Sequence, residues 1–241
     1  ASNFGNEYYD YKNGIDKRGR EGFRRGVTEG DISPLAMKRA TFATLAAAAA
    51  TGCLLLLFGP WWLILVGIVI ILFALGYSAG PYPLSHHGLG DVAVVVFFGI
   101  VPVTLTCFLQ TGCFSYISLC VSLAVGLLAA NVLIVNNYRD MEADRAVNKR
   151  TTVVIFGRKA MERCYLFTGL SAMAIMLPVW SKIPLWALPI AATYIFLHTR
   201  NQRCLKGSRG AELNPLLGRT AATQLIFSLL FLVAAATTGT R

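Results

Sequence analysis

Charge is scarce in this chain, and acidic charge scarcest: charged residues make up 14%, with 12 Asp and Glu against 22 Lys and Arg. With 55% hydrophobic residues and a mean hydropathy of +0.57, that excludes an ordinary soluble domain. No C-x-x-C pair occurs among the six cysteines (Cys53, Cys107, Cys113, Cys120, Cys164 and Cys204). They read as small apolar helix residues, and only Cys107 and Cys113 lie where a disulfide is conceivable. No aromatic-basic platform or helix-turn-helix pattern accompanies the net charge of +10, which argues against nucleic acid as a partner. None of the apolar stretches reads as a cleavable signal peptide, since the sequence opens on a polar, ligand-rich segment. It also opens without methionine and with almost no apolar helix ahead of its first motif, so an N-terminal span is expected to be missing.

What the chain does have is long apolar sequence. Seven charge-free stretches, approximately 40–58, 61–80, 92–113, 114–137, 164–181, 183–199 and 220–240, suit a bilayer core of roughly 30 Å. Lys and Arg concentrate in three loops, with 8 in residues 12–39, 7 in 138–163 and 5 in 200–219. Alternating the spans places these loops, and 81–91, on one membrane face. The other face keeps only tight turns at Gly59-Pro60, Gly112-Cys113 and Lys182. By the positive-inside rule the basic face is cytoplasmic, and all 12 acidic residues fall on it. The expected fold is all-α, a multi-span transmembrane bundle forming one domain over residues 1–241 of a bacterial inner-membrane protein. Most of the net charge is topology and attraction to anionic lipid; a few basic residues remain for an anionic substrate.

Two short acidic patterns stand at the ends of apolar segments. One is Asn6-Glu7-Tyr8-Tyr9-Asp10, followed by Asp16; the other is Asn136-Asn137-Tyr138-Arg139-Asp140 with Asp144. Each sets an aspartate four residues after an asparagine, which stacks oxygen donors on one helix face. An aspartate at a span centre costs about 2.5 to 3.5 kcal/mol, so carboxylates at such depth face a cation, a partner or water. The two Asn-x-x-x-Asp elements lie 130 residues apart, as in two pseudo-repeated halves around a cavity. Two oxygen-rich clusters on one face suit Mg²⁺ holding a diphosphate, with Lys12, Arg139, Lys149 and Arg150 as donors to phosphate oxygens. Asp16 lies roughly 240° around the helix from Asp10, so it must approach from a loop.

Each feature also has a plainer reading. Asp140 and Asp144 could pair with Arg139 or Arg145, and Lys149 and Arg150 could be ordinary positive-inside residues. Glu7 points off the ligand face, towards solvent or a supporting contact. Tyr82 could belong to an interfacial aromatic belt, as Trp61 and Trp62 do at the outer face. His86 and His87 could be simple loop residues, and Asp91 could cap the next helix. The matching pair of acidic motifs favours the metal-diphosphate reading over the plain one.

The motifs also resemble a known family. NEYYDYKNGID is similar to the first motif, and VNNYRDMEADRAVNKRT to the second, of 1,4-dihydroxy-2-naphthoate polyprenyltransferases in the UbiA superfamily of intramembrane aromatic prenyltransferases. YPLSHHGLGDVAVVVFFG resembles the loop and span that mark the naphthoate branch, and the similarity continues through Leu213-Asn214-Pro215. The resemblance implies a nine-helix bundle, of which this chain holds seven full spans and the end of another. It implies Mg²⁺-dependent transfer of a polyprenyl group from its diphosphate to 1,4-dihydroxy-2-naphthoate, with decarboxylation to demethylmenaquinone. The metal set becomes Asn6, Asp10, Asp16, Asn136, Asp140 and Asp144, with Asp10, Asp140 and Asp144 central to catalysis. Substrate contacts fall to Lys12, Arg139, Lys149, Arg150, Tyr82 and His86. Two positions depart from the family pattern: Glu7 replaces an aspartate, and His86 and His87 stand where a basic residue often follows the Tyr-Pro turn. The rival readings are another aromatic acceptor such as 4-hydroxybenzoate, and a membrane transporter. A transporter would place acids near the midplane and polar groups at both faces.

Overall fold

The computed structural model describes residues 1–19 and 22–239, and its regular elements are all helical. The last residue of the predicted stretch 220–240 lies outside the described residues. The chain divides into two compact units, residues 1–90 with 142–151 and residues 91–141 with 152–241.

The first unit carries α1 (Ser2–Lys12), α2 (Gly26–Glu29), α3 (Pro34–Leu54) and α4 (Leu63–Gly76). The Ser33-Pro34 pair starts α3 as its residue types dictate: Ser33 Oγ accepts the Ala36 N–H at 3.2 Å, and Pro34 fills the first helical turn. The buried residues of α3 are Met37, Thr41 and Leu45, one every fourth position, so a single stripe faces the protein. α1 and α4 pack with it, and a Cβ added at Gly5 of α1 would reach only ordinary contact with the Thr41 methyl, at 3.6 Å. α4 buries none of its residues despite being almost wholly aliphatic. Such a helix is stable only with hydrocarbon as its solvent. Beyond it, Ser85 donates its hydroxyl and its N–H to the Tyr77 carbonyl at 2.7 and 3.0 Å, folding the Pro81-Tyr82-Pro83 turn back before the short 3₁₀ segment Leu84–His86.

The second unit is built around α7. Its chain enters through α5 (Gly90–Val94), a π-helical segment Val95–Ile100 and α6 (Val101–Thr111), then runs through α7 (Tyr116–Ala146), whose last turn groups with the first unit. It continues with α8 (Thr152–Phe156), α9 (Arg158–Ile175), α10 (Leu177–Trp180), α11 (Pro184–Gly207) and α12 (Asn214–Thr238). Half of the apolar window of α7 is buried against 6% for the span Gly90–Thr111, so α7 is the inner helix of this unit. Its Cys120, Ala124 and Leu128 form one core with Met173, Met176, Ile190, Tyr194 and Phe227, while Ile134, Val135, Tyr138 and Met141 form a second with Met161, Tyr165, Leu205 and Leu213. The π segment meets α7 backbone to backbone: a Cβ on Gly99 would collide with Gly126, and one on Gly126 would lie 2.6 Å from the Val95 carbonyl oxygen. Buried polar groups cross-link the helices, as expected where lipid supplies no hydrogen bonds. His198 stacks between Tyr165 and Tyr194, with Nε2 3.0 Å from the Tyr165 carbonyl oxygen.

Each of the seven predicted stretches coincides with a helix. Four helices among the described residues, Pro34–Leu57, Gly90–Thr111, Tyr116–Ala146 and Gly210–Thr238, are long and apolar enough to cross a membrane, with Leu63–Gly76 a shorter apolar helix. The stretches 164–181 and 183–199 fall on α9–α10 and α11, and both α9 and α11 carry charged residues at one end. All six cysteines are free thiols, and the conceivable Cys107–Cys113 bond is not formed.

Candidate functional site

The first acidic motif occupies the end of α1, and the ligand spacing is realised. Asp10 is buried, 4% exposed, and Asn6, one turn earlier, accepts the Ser78 hydroxyl at 2.6 Å. Two nitrogen-bearing side chains converge on Asp10: His86 Nε2 lies 3.9 Å from Oδ1, and the Lys149 ammonium lies 3.9 Å from Oδ2. Lys149 Nζ also lies 3.6 Å from Asp144 Oδ1, so one ammonium is shared by an aspartate from each acidic motif. Burial by itself would raise the Asp10 carboxyl. The His86, Lys149 and Arg25 groups outweigh it and hold the carboxyl below its ordinary range.

Asp16 joins this unit from the loop, as its position off the helix face requires. Its backbone N–H bonds the Asp10 carbonyl at 3.3 Å, folding the chain over the end of α1, and its carboxylate meets Arg25 Nε at 3.3 Å. Arg25 is also 3.9 Å from Glu7, whose carboxylate accepts the Val27 N–H at 2.9 Å. Glu7 thus fastens α2 to α1, a supporting contact for the site.

The second motif is held differently. Arg139 grips Asp140 through both oxygens, at 2.7 Å from Nε and 2.8 Å from Nη2, and both residues are buried. The same guanidinium donates to Asn136 Oδ1 at 2.8 Å and to Asn214 Oδ1 at 3.0 Å. Asn136 and Asp140 therefore do stack on one face of α7, with Arg139 satisfying both. The remaining predicted contacts are dispersed. Lys12 is exposed at the end of α1, and the Arg150 side chain is exposed while its N–H bonds the His86 carbonyl at 3.1 Å. Tyr82 is 61% exposed and stacks on His87 at 3.5 Å between ring centroids, which separates the roles of the two histidines: His86 faces Asp10 and His87 supports Tyr82. Asp91 accepts the Thr152 hydroxyl, tying the start of α5 to α8.

Sequence reasoning did not find Ser78, Arg25 or Asn214 as partners of the motif residues. Ser78 and Arg25 lie in segments without periodicity, and only folding brings them to α1. Asn214 stood in the Leu213-Asn214-Pro215 run, which carried resemblance but no stated role.

The donor set fits a hard cation. It is all oxygen, and Asp10 Oδ1 is buried without a hydrogen-bond partner among the described residues. A buried carboxylate oxygen in that condition is costly, and a cation would satisfy it. The Lys149 ammonium already holds a position between two carboxylates where positive charge is favoured. Among the described residues, no three His, Cys, Asp or Glu side chains converge as a ready-made metal group.

Comparison with known proteins bears on the family to which these motifs belong. The 1,4-dihydroxy-2-naphthoate octaprenyltransferase of Escherichia coli K12 is 33% identical over 96% of this chain and 78% of its own length. Its namesake in Mycobacterium tuberculosis H37Rv is 32% identical over 94% of this chain and 77% of its own, and that of Haemophilus influenzae is 30% identical over 95% and 77%. No solved structure matches the chain significantly. The family model described as the UbiA prenyltransferase family matches residues 1–214, which takes in both acidic motifs, the histidine loop and Asn214. On apolar helices, paired motifs and this match together, the chain is a membrane protein and a prenyl-transferring enzyme that belongs to the UbiA prenyltransferase family.

Proposed function

We propose that this enzyme transfers a polyprenyl group from a polyprenyl diphosphate to 1,4-dihydroxy-2-naphthoate with loss of CO₂, giving demethylmenaquinol, the reduced form of demethylmenaquinone, for menaquinone biosynthesis. The observation that carries the reading is the Lys149 ammonium shared by Asp10 and Asp144, one from each motif, in a chain about one-third identical to enzymes of that name. The work takes place at the cytoplasmic face of a bacterial inner membrane, where the positive-inside rule puts the three basic loops.

Asp10, Asp16 and Asn6 would hold Mg²⁺ on the first motif, and Asp140 and Asp144, with Asn136, on the second. When bound, Mg²⁺ neutralises the diphosphate and so favours its departure. Lys149 and His86 lie beside Asp10 and donate to the phosphate oxygens as charge develops there, with Arg139, Lys12 and Arg150 as further basic groups of the same motifs. The allylic C–O bond breaks heterolytically, and diphosphate leaves with the bonding pair. The electron-rich ring then forms the new C–C bond at its carboxylated carbon. The carboxylate departs as CO₂, and the electrons of its C–C bond restore the aromatic ring. No strong base is needed, in keeping with a site that offers carboxylates committed to cations. The apolar helices exclude water from the cation, and Tyr82 borders the loop through which the acceptor would approach.

Membranes containing the protein, supplied with all-trans polyprenyl diphosphate and either 1,4-dihydroxy-2-naphthoate or 4-hydroxybenzoate, test this directly. Mg²⁺-dependent demethylmenaquinol with stoichiometric CO₂, recovered as demethylmenaquinone after oxidation by air, is the expected outcome. Prenylated 4-hydroxybenzoate instead would retain the metal-diphosphate site and overturn the acceptor.

A further inference from the structure

We propose that Asn148 is a positioning residue for the diphosphate site, because its left-handed backbone returns Lys149 onto the two carboxylates. Asn148, at φ 58°, is the only residue other than glycine with positive φ among those described. Such a conformation costs most residues free energy, and asparagine tolerates it better than any β-branched or aliphatic residue.

The local hydrogen bonds show what the turn achieves. The N–H groups of Val147 and Lys149 both reach the Asp144 carbonyl, at 3.3 and 2.8 Å, and that of Asn148 reaches the Arg145 carbonyl at 3.2 Å. The chain therefore stops the helix and doubles back over its last turn, in the manner of a left-handed C-terminal cap. Continuing helically would carry residue 149 onward and away from Asp144. Doubling back places Nζ of Lys149 3.6 Å from Asp144 and 3.9 Å from Asp10. One residue later, the Arg150 N–H bonds the carbonyl of His86, the other side chain facing Asp10. Lys149 is thus fixed from both sides, by a turn before it and a hydrogen bond after it. The Asn148 side chain is exposed and makes no hydrogen bond among the described residues, so its contribution lies in the backbone.

The inference rests on the reading of Lys149 as a diphosphate ligand, and the experiment separates the two. Binding of a non-ionisable prenyl thiodiphosphate with Mg²⁺ is measured by calorimetry on the purified full-length protein, alongside KM for both substrates. The variants are N148G, N148A, N148V, K149M and N148V/K149M. N148G keeps the turn and is expected to bind within about twofold of wild type. N148V is expected to bind roughly tenfold more weakly, N148A less severely so, with KM for the prenyl diphosphate raised and KM for the acceptor unchanged. In the K149M background N148V should add nothing further, since both changes remove the same contact. Equal harm from N148G and N148V would overturn the proposal, as would an undiminished effect of N148V beside K149M or an unchanged N148A and N148V. Binding unaffected by K149M would instead overturn the role of Lys149 itself.

Discussion

The same element, Asn-x-x-x-Asp, appears once in each unit, and the two copies are held in opposite ways. In the second unit Arg139 closes on Asp140 with two bonds of 2.7 and 2.8 Å and takes Asn136 and Asn214 as well. In the first unit Asn6 takes a neutral hydroxyl, while Asp10 has His86 and Lys149 each at 3.9 Å and, among the described residues, one oxygen without a hydrogen bond. Identical spacing therefore does not specify identical electrostatics; the nearest basic residue does. Arg139 sits beside Asp140 in sequence and offers a planar fork, whereas Asp10 depends on flexible groups arriving from residues 86 and 149. The first motif is held ready for exchange of its cations, and the second is a neutralised, buried pair.

That contrast can be broken at its strong end. Arg139→Met would leave Asp140 buried without its counter-ion and should destabilise the protein by about 3–5 kcal/mol, with partial recovery in the double variant Arg139→Met/Asp140→Asn. Thermal unfolding in detergent measures this, and a loss as small as that of an exposed pair would erase the distinction between the motifs. Next in size are Asp10→Asn and Asp144→Asn, expected to lower turnover by roughly 10²–10³-fold while leaving stability nearly intact. Steady-state assays across Mg²⁺ concentrations check this, and normal half-saturation in both variants would remove the metal role from these residues. Ser78→Ala should cost about 1 kcal/mol through Asn6, read as a modest rise in the Mg²⁺ needed for half-activity. The smallest effect concerns acid. Since the Asp10 carboxyl is held below its ordinary range in the folded protein, its stabilisation is present above the unfolded value and disappears as pH falls through the folded one. Metal-free protein carrying Asp10→Asn should therefore lose less thermal stability than wild type between about pH 5 and pH 2. Parallel acid profiles would show that Asp10 is not held by its cations.

Much of this was legible in the sequence, and the rest was hidden for definable reasons. Helices were readable because apolar runs between charged loops leave few alternatives in a bilayer, and Ser33-Pro34 announced a helix start by residue type alone. Asn6 and Asp10, or Asn136 and Asp140, could be placed on one face by periodicity. Their partners could not. Whether Asp140 faces Arg139 or Arg145 depends on rotamers, and Arg145 turned out to bond Glu142 at 3.3 Å at the surface. Ser78, 72 residues from Asn6, and Asn214, 75 from Arg139, are brought in by tertiary folding, which leaves no local trace. Nor did the adjacent histidines show in sequence that one would face a carboxylate and the other a tyrosine ring. A strained turn at Asn148 was equally silent, because asparagine is common in ordinary loops.

The π-helical segment Val95–Ile100 carries a consequence of its own. A π turn is an α-helix that has absorbed one additional residue. Deleting one residue there would restore regular hydrogen bonding along the span, and because the wider turn advances fewer degrees per residue the two halves would keep nearly the same rotational phase. Such a deletion would alter the close passage itself, where Gly99 meets Gly126 backbone to backbone, while Asp91 kept its side towards Thr152. A one-residue gap within 95–100 between otherwise similar chains would therefore mark a span that keeps its faces and loses only the widened turn beside Gly126.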